Sequence, residues 1–505
     1  VLLASVFVVA SCGLVYELLA GTLSSYLLGS SVTQFSLVIG LFLTAMGIGS
    51  FLSRFFERSL LRTFLWVELL VGVCGGSSTL GLFFSFAVLE TYLPLLVGIS
   101  LVVGALVGLE IPLLVRILRR HTTLKAALGN VLALDYLGAL AASLLFPLLL
   151  LPALGIVRTS FLFGLLNVAV VWVGLWVFRG GVRGARTLAA ASVVVGLLLA
   201  AGMVTAGAST RLLEDVLYDD PVIYARTTRY QRLVITRWRD DLRLFIDGNI
   251  QFSSADEFRY HEALVHPALG LVPGGARSVL VLGGGDGLAT REVLKHRSVR
   301  RVQVVDLDPE MTRLFSSAPP LTRLNRGALK DPRVTVRNMD AQKFLERDRG
   351  RHDAIIIDLP DPNTPGLGKL YSRSFYRLAA RHLTPTGVLV TQATSPFYAT
   401  DAYWCIVNTL RAATLSGAGG GRLKVLPYRA SVPSFGEWGF VLASHAPLSP
   451  ERVRLEVETR YLTPALIPTL FTFPRDIGPR PTPVNRLDDL VLLRLYERGY
   501  RAYNK

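Results

Sequence analysis

Apolar residues are spread so unevenly along this 505-residue chain that one kind of fold cannot serve both of its halves. Before about position 208 the sequence is a succession of long apolar runs, and most of the charge lies after it. A helix needs about 20 apolar residues to cross the hydrocarbon layer. On that criterion spans fall near 3–28, 32–52, 64–86, 92–115, 130–152, 157–178 and 187–207. Small residues inside them, such as Gly40, Ala45, Gly47 and Gly49, permit close helix packing. None of the runs is short enough to be a signal peptide alone. The chain opens at Val1, inside an apolar run and without an initiator Met, which leaves room for upstream residues.

Charge in the connections addresses orientation. Arg54, Arg58 and Arg62 follow the second expected span, Arg116, Arg119, Arg120 and Lys125 the fourth, and Arg179, Arg183 and Arg186 the sixth. The odd connections carry almost nothing but Arg158. The positive-inside rule puts the even connections in the cytoplasm, and seven spans then put the polar half outside. A span count off by one, or a span upstream of Val1, would reverse this, so the side stays open. Lys+Arg exceed Asp+Glu by 53 to 37, a net +16. The arginines are scattered and no aromatic-basic stripe accompanies them, so no nucleic-acid partner is expected. The partner expected of the apolar half is a lipid membrane.

Cys12, Cys74 and Cys405 show no metal-ligand spacing and no disulfide framework. Among the carboxylates in or near the spans (Glu17, Glu68, Glu90, Glu110 and Asp135), Glu17 and Asp135 lie deepest in apolar runs. They are the first candidates for a cation or proton path, against the plainer reading of pairing with a neighbouring helix.

After Gly207 the pattern turns polar, and Arg211 to Asp220 reads as a short amphipathic connector ended by Pro221. Tyr230–Arg237 and Leu242–Asp247 alternate as strands, with a turn at Asp247-Gly248-Asn249. From Ser278 the rhythm is strand, Gly-rich turn, helix, strand. Ser278–Leu282, Arg301–Val305 and Ala354–Ile357 are short, apolar and mostly β-branched, the mark of a parallel sheet covered on both faces. The first strand runs into Gly283-Gly284-Gly285-Asp286-Gly287, and Leu288–Lys295 reads as the helix that comes next. Glycine there lets a backbone approach a nucleoside closely. The second strand ends at Asp306, placed to accept both ribose hydroxyls, and Asp340 follows Val334–Arg337, where it and Ala341 suit an adenine edge. No P-loop and no basic residue within the glycine turn offers a phosphate grip. Asp286 in that turn would repel a pyrophosphate, so an adenosyl sulfonium compound fits better than a dinucleotide.

The fourth strand delivers Asp358-Leu359-Pro360-Asp361-Pro362, then Pro365 and Leu370-Tyr371-Ser372-Arg373-Ser374-Phe375-Tyr376. With Tyr230-Gln231, Leu244–Gln251, Asp256-Glu257, Tyr260-His261-Glu262 and the glycine turn, this set resembles the spermidine synthase (polyamine aminopropyltransferase) family over roughly 225–445. The apolar half resembles the multi-span segment fused to some bacterial members, through runs such as Gly13-Leu14-Val15-Tyr16-Glu17-Leu18. The resemblance implies aminopropyl transfer from decarboxylated S-adenosylmethionine, a co-substrate rather than a prosthetic group, to an amine, with putrescine expected and methylthioadenosine released. It implies Asp358 as the proton acceptor, Asp361 as the holder of the acceptor amine, and Tyr260 and His261 beside it. Asp286 would bind the donor's ammonium, and Gln231, Gly283, Gly285, Asp306, Asp340, Ala341 and Pro365 would hold the nucleoside. A homodimer is the expected assembly.

The departures are Asp306 where the family has Glu, Thr364 where it often has Gly, and Ser431-Val432-Pro433-Ser434-Phe435-Gly436-Glu437-Trp438 in place of a Pro-Thr-Tyr-Pro-Ser-Gly run. Val432 replaces a tyrosine of the acceptor pocket, and Glu437 is a candidate new cation contact. The alternatives are a methyltransferase on the same fold and a polyamine-binding transporter or sensor. The expected architecture is an α-helical multi-span membrane domain plus an α/β, Rossmann-like, methyltransferase-type parallel sheet preceded by a small antiparallel β unit. Its expected boundaries are 1–208 for the membrane domain, 209–224 for the connector, 225–275 for the β unit, 276–450 for the catalytic domain and 451–505 for a C-terminal extension, proline-rich from Leu462 to Pro483 and helical from Asp488 to Arg498.

Overall fold

The computed structural model describes residues 2–28, 31–89, 91–119, 122–178, 182, 184–218, 220–414, 421–489 and 491–503. Glu90, Arg120, Arg179 and Arg183 lie outside the described residues, as does the side chain of Arg211. The chain divides into two compact units, Val1–Arg229 and Tyr230–Lys505.

The first unit is built from helices α1 (Leu2–Leu28), α2 (Ser31–Leu52), α3 (Leu60–Phe84), α4 (Tyr92–Leu118), α5 (Leu124–Leu145), α6 (Leu151–Val177) and α7 (Ala185–Leu217), followed by strand β1 (Val222–Thr227). Among the described residues, six helical segments are long and apolar enough to cross a membrane, where the sequence predicted seven. The difference lies in α5 and α6, which a five-residue wide turn at Phe146–Leu150 joins into one 54-residue segment, Leu124–Val177. At about 1.5 Å per residue such a segment far exceeds the hydrocarbon thickness. It is broken at Gly155, whose φ of 74° and ψ of 179° no helix contains. The expected connector after 208 is likewise not a separate piece, because α7 continues through it to Leu217.

Glycine is used here for close approach. A Cβ at Gly49 would come within 1.9 Å of the Ala105 carbonyl oxygen, and one at Gly108 within 2.2 Å of that of Met46, which fixes α2 against α4. Among the described residues of α1 to α6, the buried carboxylates are Glu68 and Glu110, at 0% and 2% exposure, whereas Glu17 and Asp135 are only partly covered. Tyr16, not Glu17, turns inward on α1, and its hydroxyl donates to Asn167 Oδ1 at 2.9 Å. Asn167 Nδ2 in turn donates to Glu68 Oε2 at 2.9 Å, and Glu68 is hydrogen-bonded to Glu110. Depth in an apolar run therefore misjudged which acids face the interior, since one position along a helix rotates a side chain by about 100°.

In the second unit β2 (Arg232–Trp238), β3 (Asp241–Ile246) and β4 (Asn249–Ser253) pair antiparallel in chain order. Asp247 and Gly248, at φ 48° and 80°, form the left-handed turn between β3 and β4 that such a two-residue connection requires. Helix α8 (Glu257–Gly270) comes next, then β5 (Ser278–Gly283), α9 (Leu288–Leu294), β6 (Arg301–Asp306), β7 (Val334–Asn338), β8 (His352–Asp358), β9 (Leu383–Gln392), β10 (Lys424–Val432) and β11 (Gly436–Ser444). The main sheet has the order β10-β11-β9-β8-β5-β6-β7. It is parallel from β7 to β9, but β11 runs antiparallel to β9, and β10 antiparallel to β11. The sheet is therefore mixed, where a parallel one was expected, and the three residues Pro433 to Phe435 between β10 and β11 make a hairpin because so short a connection cannot make a crossover. Val279–Leu282 and Ala354–Ile357 are completely buried, as strands covered on both faces must be.

The chain beyond β11 wraps this unit. Buried Glu262 on α8 accepts from the backbone N–H groups of Arg460, Tyr461 and Leu462 at 2.7, 2.9 and 3.1 Å. Trp404 Nε1 donates to the Ile477 carbonyl at 3.0 Å. The last helix spans Val491–Arg501, three residues further along than predicted at each end.

Candidate active site

The strand order reverses direction at β5 and β8, and an open α/β sheet has its crevice at the C-terminal ends of such a pair. Gly283 and Asp358 are register partners at that point. Gly283, Gly284 and Gly287 all have left-handed φ (84°, 61° and 77°), and a Cβ on Gly283 would lie 2.0 Å from the Asp358 carbonyl oxygen. Only glycine fits there. Gly284 N–H donates to that carbonyl at 3.0 Å, so the turn is stitched to the strand that carries Asp358. On its other side Gly285 N–H donates to Asp306 Oδ2 at 3.0 Å, while Asp308 N–H donates to Oδ1 at 2.9 Å. Each carboxylate oxygen retains lone-pair capacity for a further donor.

Helix α8 brings Tyr260 and His261 to the same crevice. Tyr260 donates to Asp358 Oδ1 at 2.8 Å. His261 Nδ1 lies 2.8 Å from both the Glu257 carbonyl and Glu257 Oε2, and Arg291 grips Glu257 with both guanidinium nitrogens, at 2.8 and 2.9 Å. Burial pulls the His261 imidazole down, but the hydrogen bond and charge of Glu257 outweigh it and raise the ring to about 9, so it is a cation at neutral pH. Asp256, at the start of α8, accepts from Ser434 N–H at 2.6 Å and from Ser434 Oγ at 2.9 Å. That tie brings the Phe435 and Trp438 rings to 6.0 and 6.5 Å from Tyr260.

Asp361 is held by two side chains at and just past the C-terminal end of β9. Thr394 Oγ1 donates to Asp361 Oδ2 at 3.0 Å and Gln392 Nε2 to Oδ1 at 3.2 Å. Gln392 also donates to the Leu359 carbonyl at 2.7 Å, and Tyr371 to that of Pro360 at 2.9 Å, which fixes the loop.

Electrostatically the crevice holds more acids than the one His261 charge can balance. Burial lifts Asp361 to about 6 against the pull of its Thr394 and Gln392 hydrogen bonds. Burial also lifts Asp286 to about 6, with the His261 charge pulling it down and Asp358 pushing it up. Asp306 is lifted by burial to about 6 despite its two backbone donors. Asp358 is raised by burial, opposed by the His261 charge and the Tyr260 hydrogen bond. Acids crowded together out of water favour any ligand that brings positive charge.

The structure thus brings together Gly283, Gly285, Asp286, Asp306, Tyr260, His261, Asp358 and Asp361. Asp340 stands apart in character. It caps the helix Ala341–Arg347 through Lys343 N–H at 3.0 Å and pairs with Lys369 Nζ at 2.8 Å, which takes it below the usual range although burial opposes this. Ala341 opens that helix, Gln231 lies immediately before β2, and Pro365 opens the short helix Pro365–Gly368. Glu437 is not an open cation contact, because Arg429 pairs with it. Sequence reasoning missed Gln392 and Thr394, although residues just past a parallel strand's C-terminal end are where such sheets bind ligands. It also missed Arg291 and the tyrosines of the last helix, for which only an i,i+4 spacing gave a signal.

Fold and site together define an α/β protein of the open-sheet kind, with a glycine-lined crevice at the strand ends and an acid-lined floor. The Spermine/spermidine synthase domain matches residues 257–450. Polyamine aminopropyltransferase 2 of Ralstonia nicotianae is 50% identical over 99% of this chain and 98% of its own length. The polyamine aminopropyltransferase of Leptospira interrogans is 46% identical over 98% of each. Among solved structures, a spermidine synthase in complex with the transition-state analogue AdoDATO is similar over 51% of this chain and 86% of its own, at 25% identity and a TM-score of 0.45. The chain belongs to the polyamine aminopropyltransferase (spermidine synthase) family, and it is an enzyme of that transferase class.

Proposed function

We propose that this protein transfers the aminopropyl group of decarboxylated S-adenosylmethionine to putrescine, with Asp358 as the proton acceptor. The observation that supports it most is the set of carboxyls held above their usual range around one crevice, with Asp358 fixed by Tyr260 at 2.8 Å. An alkyl amine with a pKa near 10 is an unreactive ammonium at neutral pH. A buried carboxylate of raised basicity is suited to take its proton. The freed nitrogen lone pair forms the new C–N bond to the methylene beside the sulfonium. The C–S bond breaks with its electron pair going to sulfur, and neutral methylthioadenosine leaves. Asp286 holds the donor's ammonium and Asp361 the acceptor's, so two like-charged substrates are kept together by the acids between them.

An intact methionine carboxylate would meet Asp286, which argues against the methyltransferase reading. The helical unit is proposed to anchor the enzyme in the cell membrane, on the strength of its six long apolar segments. The test uses the purified full chain with the decarboxylated donor and putrescine. Spermidine and methylthioadenosine are expected in equal amounts, with about 10²–10⁴-fold less from Asp358→Asn. Full turnover by that variant, or preferred binding of intact S-adenosylmethionine in calorimetry, overturns the reading.

A further inference from the structure

The last helix, Val491–Arg501, lies beyond the matched synthase domain, which ends at residue 450. It is nevertheless part of the catalytic unit. Leu492 and Leu495, at 0% and 6% exposure, belong to the same apolar cluster as Leu282, Ile357 and Leu389 of β5, β8 and β9. Gly499 lets the helix sit close, since a Cβ there would come within 2.7 Å of Ala399 Cα and 2.8 Å of the Tyr398 carbonyl oxygen.

The polar side of this helix reaches the acid floor. Tyr496 donates a hydrogen bond to the Asp361 carboxylate. The Tyr496 and Tyr500 hydroxyls are hydrogen-bonded to each other, and their ring centroids are 4.6 Å apart. Tyr500 Oη is 3.5 Å from Thr394 Oγ1, and Thr394 Oγ1 donates to Asp361 at 3.0 Å. Tyr496, Tyr500 and Thr394 therefore gather three hydroxyls around Asp361; those of Tyr496 and Thr394 donate to the carboxylate, and the single Tyr500 proton goes to one of those two oxygens. Thr394 keeps its place with a φ of 60°, which a β-branched residue rarely adopts. Its N–H donates to Gln392 Oε1 at 2.8 Å, and its carbonyl accepts from Gly439 N–H at 2.8 Å. Strain of this kind persists where the surroundings over-determine it, typically at a ligand site. On β10, meanwhile, Val432 is fully buried and offers no phenol to the crevice.

We infer that the C-terminal helix forms the acceptor-side wall of the active site, with Tyr496 as a positioning and specificity-determining residue. It rests on the reading of Asp361 as the anchor of the acceptor amine. The phenol O–H orients the carboxylate while the phenol oxygen accepts from the same ammonium. The two adjoining tyrosines then limit how long an amine fits behind the anchor.

The test measures initial rates of the full chain, varying each substrate at saturation of the other, for Tyr496→Phe, Tyr496→Ala and Asp361→Asn. Phe keeps the ring and the packing and removes only the hydroxyl. A hydrogen bond to a charged group justifies an expected rise of about 10-fold in the acceptor KM. The donor KM should stay at its wild-type value. Tyr496→Ala should shift preference from putrescine toward the longer spermidine. A wild-type acceptor KM in Tyr496→Phe with Asp361→Asn impaired overturns the role of the helix and leaves the reading of Asp361 standing. A wild-type acceptor KM in both overturns the two together. An equal rise in both KM values with a lowered midpoint also overturns it, since that is the signature of a merely structural residue.

Discussion

Replacing Asp361 by Asn is expected to make the protein more stable as it disables it. Burial moves the Asp361 carboxyl from its ordinary 3.8 to about 6, net of its hydrogen bonds from Thr394, Gln392 and Tyr496. The unfolded chain loses this proton near the ordinary value and the folded chain only near 6. Between those values the folded state holds more protons, so stability falls as pH rises through the window and is level above it. At about 1.36 kcal/mol per pH unit the full penalty above the window is about 3 kcal/mol. The side chain lines a crevice that water reaches, so screening reduces this to about 1–2 kcal/mol. Asn keeps a carbonyl oxygen for some of these three donors but turns an NH₂ toward the rest, which costs part of the gain. A net of about 1 kcal/mol corresponds to roughly 2–4 °C for a domain of this size. The assay is thermal unfolding of the full chain in detergent at about pH 8 and about pH 5, pH values chosen to bracket the shifted value. Asp361→Asn should melt higher than wild type at the upper pH, with the advantage shrinking at the lower one, while turnover falls at both. An advantage independent of pH, or a lower midpoint at the upper pH, would refute the assignment of the strain to this carboxylate.

Gly285→Ala places a Cβ 2.5 Å from the Asp306 carboxyl and should weaken donor binding at least about 10-fold by calorimetry, with little change in acceptor KM. Tyr260→Phe removes a hydrogen bond that holds Asp358 down, so the acid limb of the kcat profile should move to higher pH. An unmoved limb would show that Asp358 is not the titrating base. Donor supply predicts that the catalytic unit is protease-resistant in sealed right-side-out vesicles and digested in inside-out ones. The reverse pattern would show that the loop arginines govern the orientation.

The sequence was most legible where local rules act alone. The change from apolar runs to β-branched strands near position 208, the glycine turn after Leu282 and the acids ending successive strands each arise from short-range chemistry. Asp247-Gly248 likewise announced its left-handed turn. Where a residue's role depends on what another element does, the sequence was silent or wrong. Glu17 lies deep in an apolar run, but the packing of α1 turns Tyr16 inward instead. Glu437 reads as an open acid in the sequence, but β10 places Arg429 across the hairpin from it.

Sequence alone therefore determined the two-part construction, the glycine-lined turn at the strand ends and the aspartates beside it, because spacing along a strand or turn already fixes which side chains share an end. Tertiary structure alone decided that Arg291 holds Glu257 beneath a charged His261, and that Tyr496, 135 positions after Asp361, returns to meet it. Contacts of that separation are set by how apolar faces bury one another, and no local pattern encodes the partner they will bring.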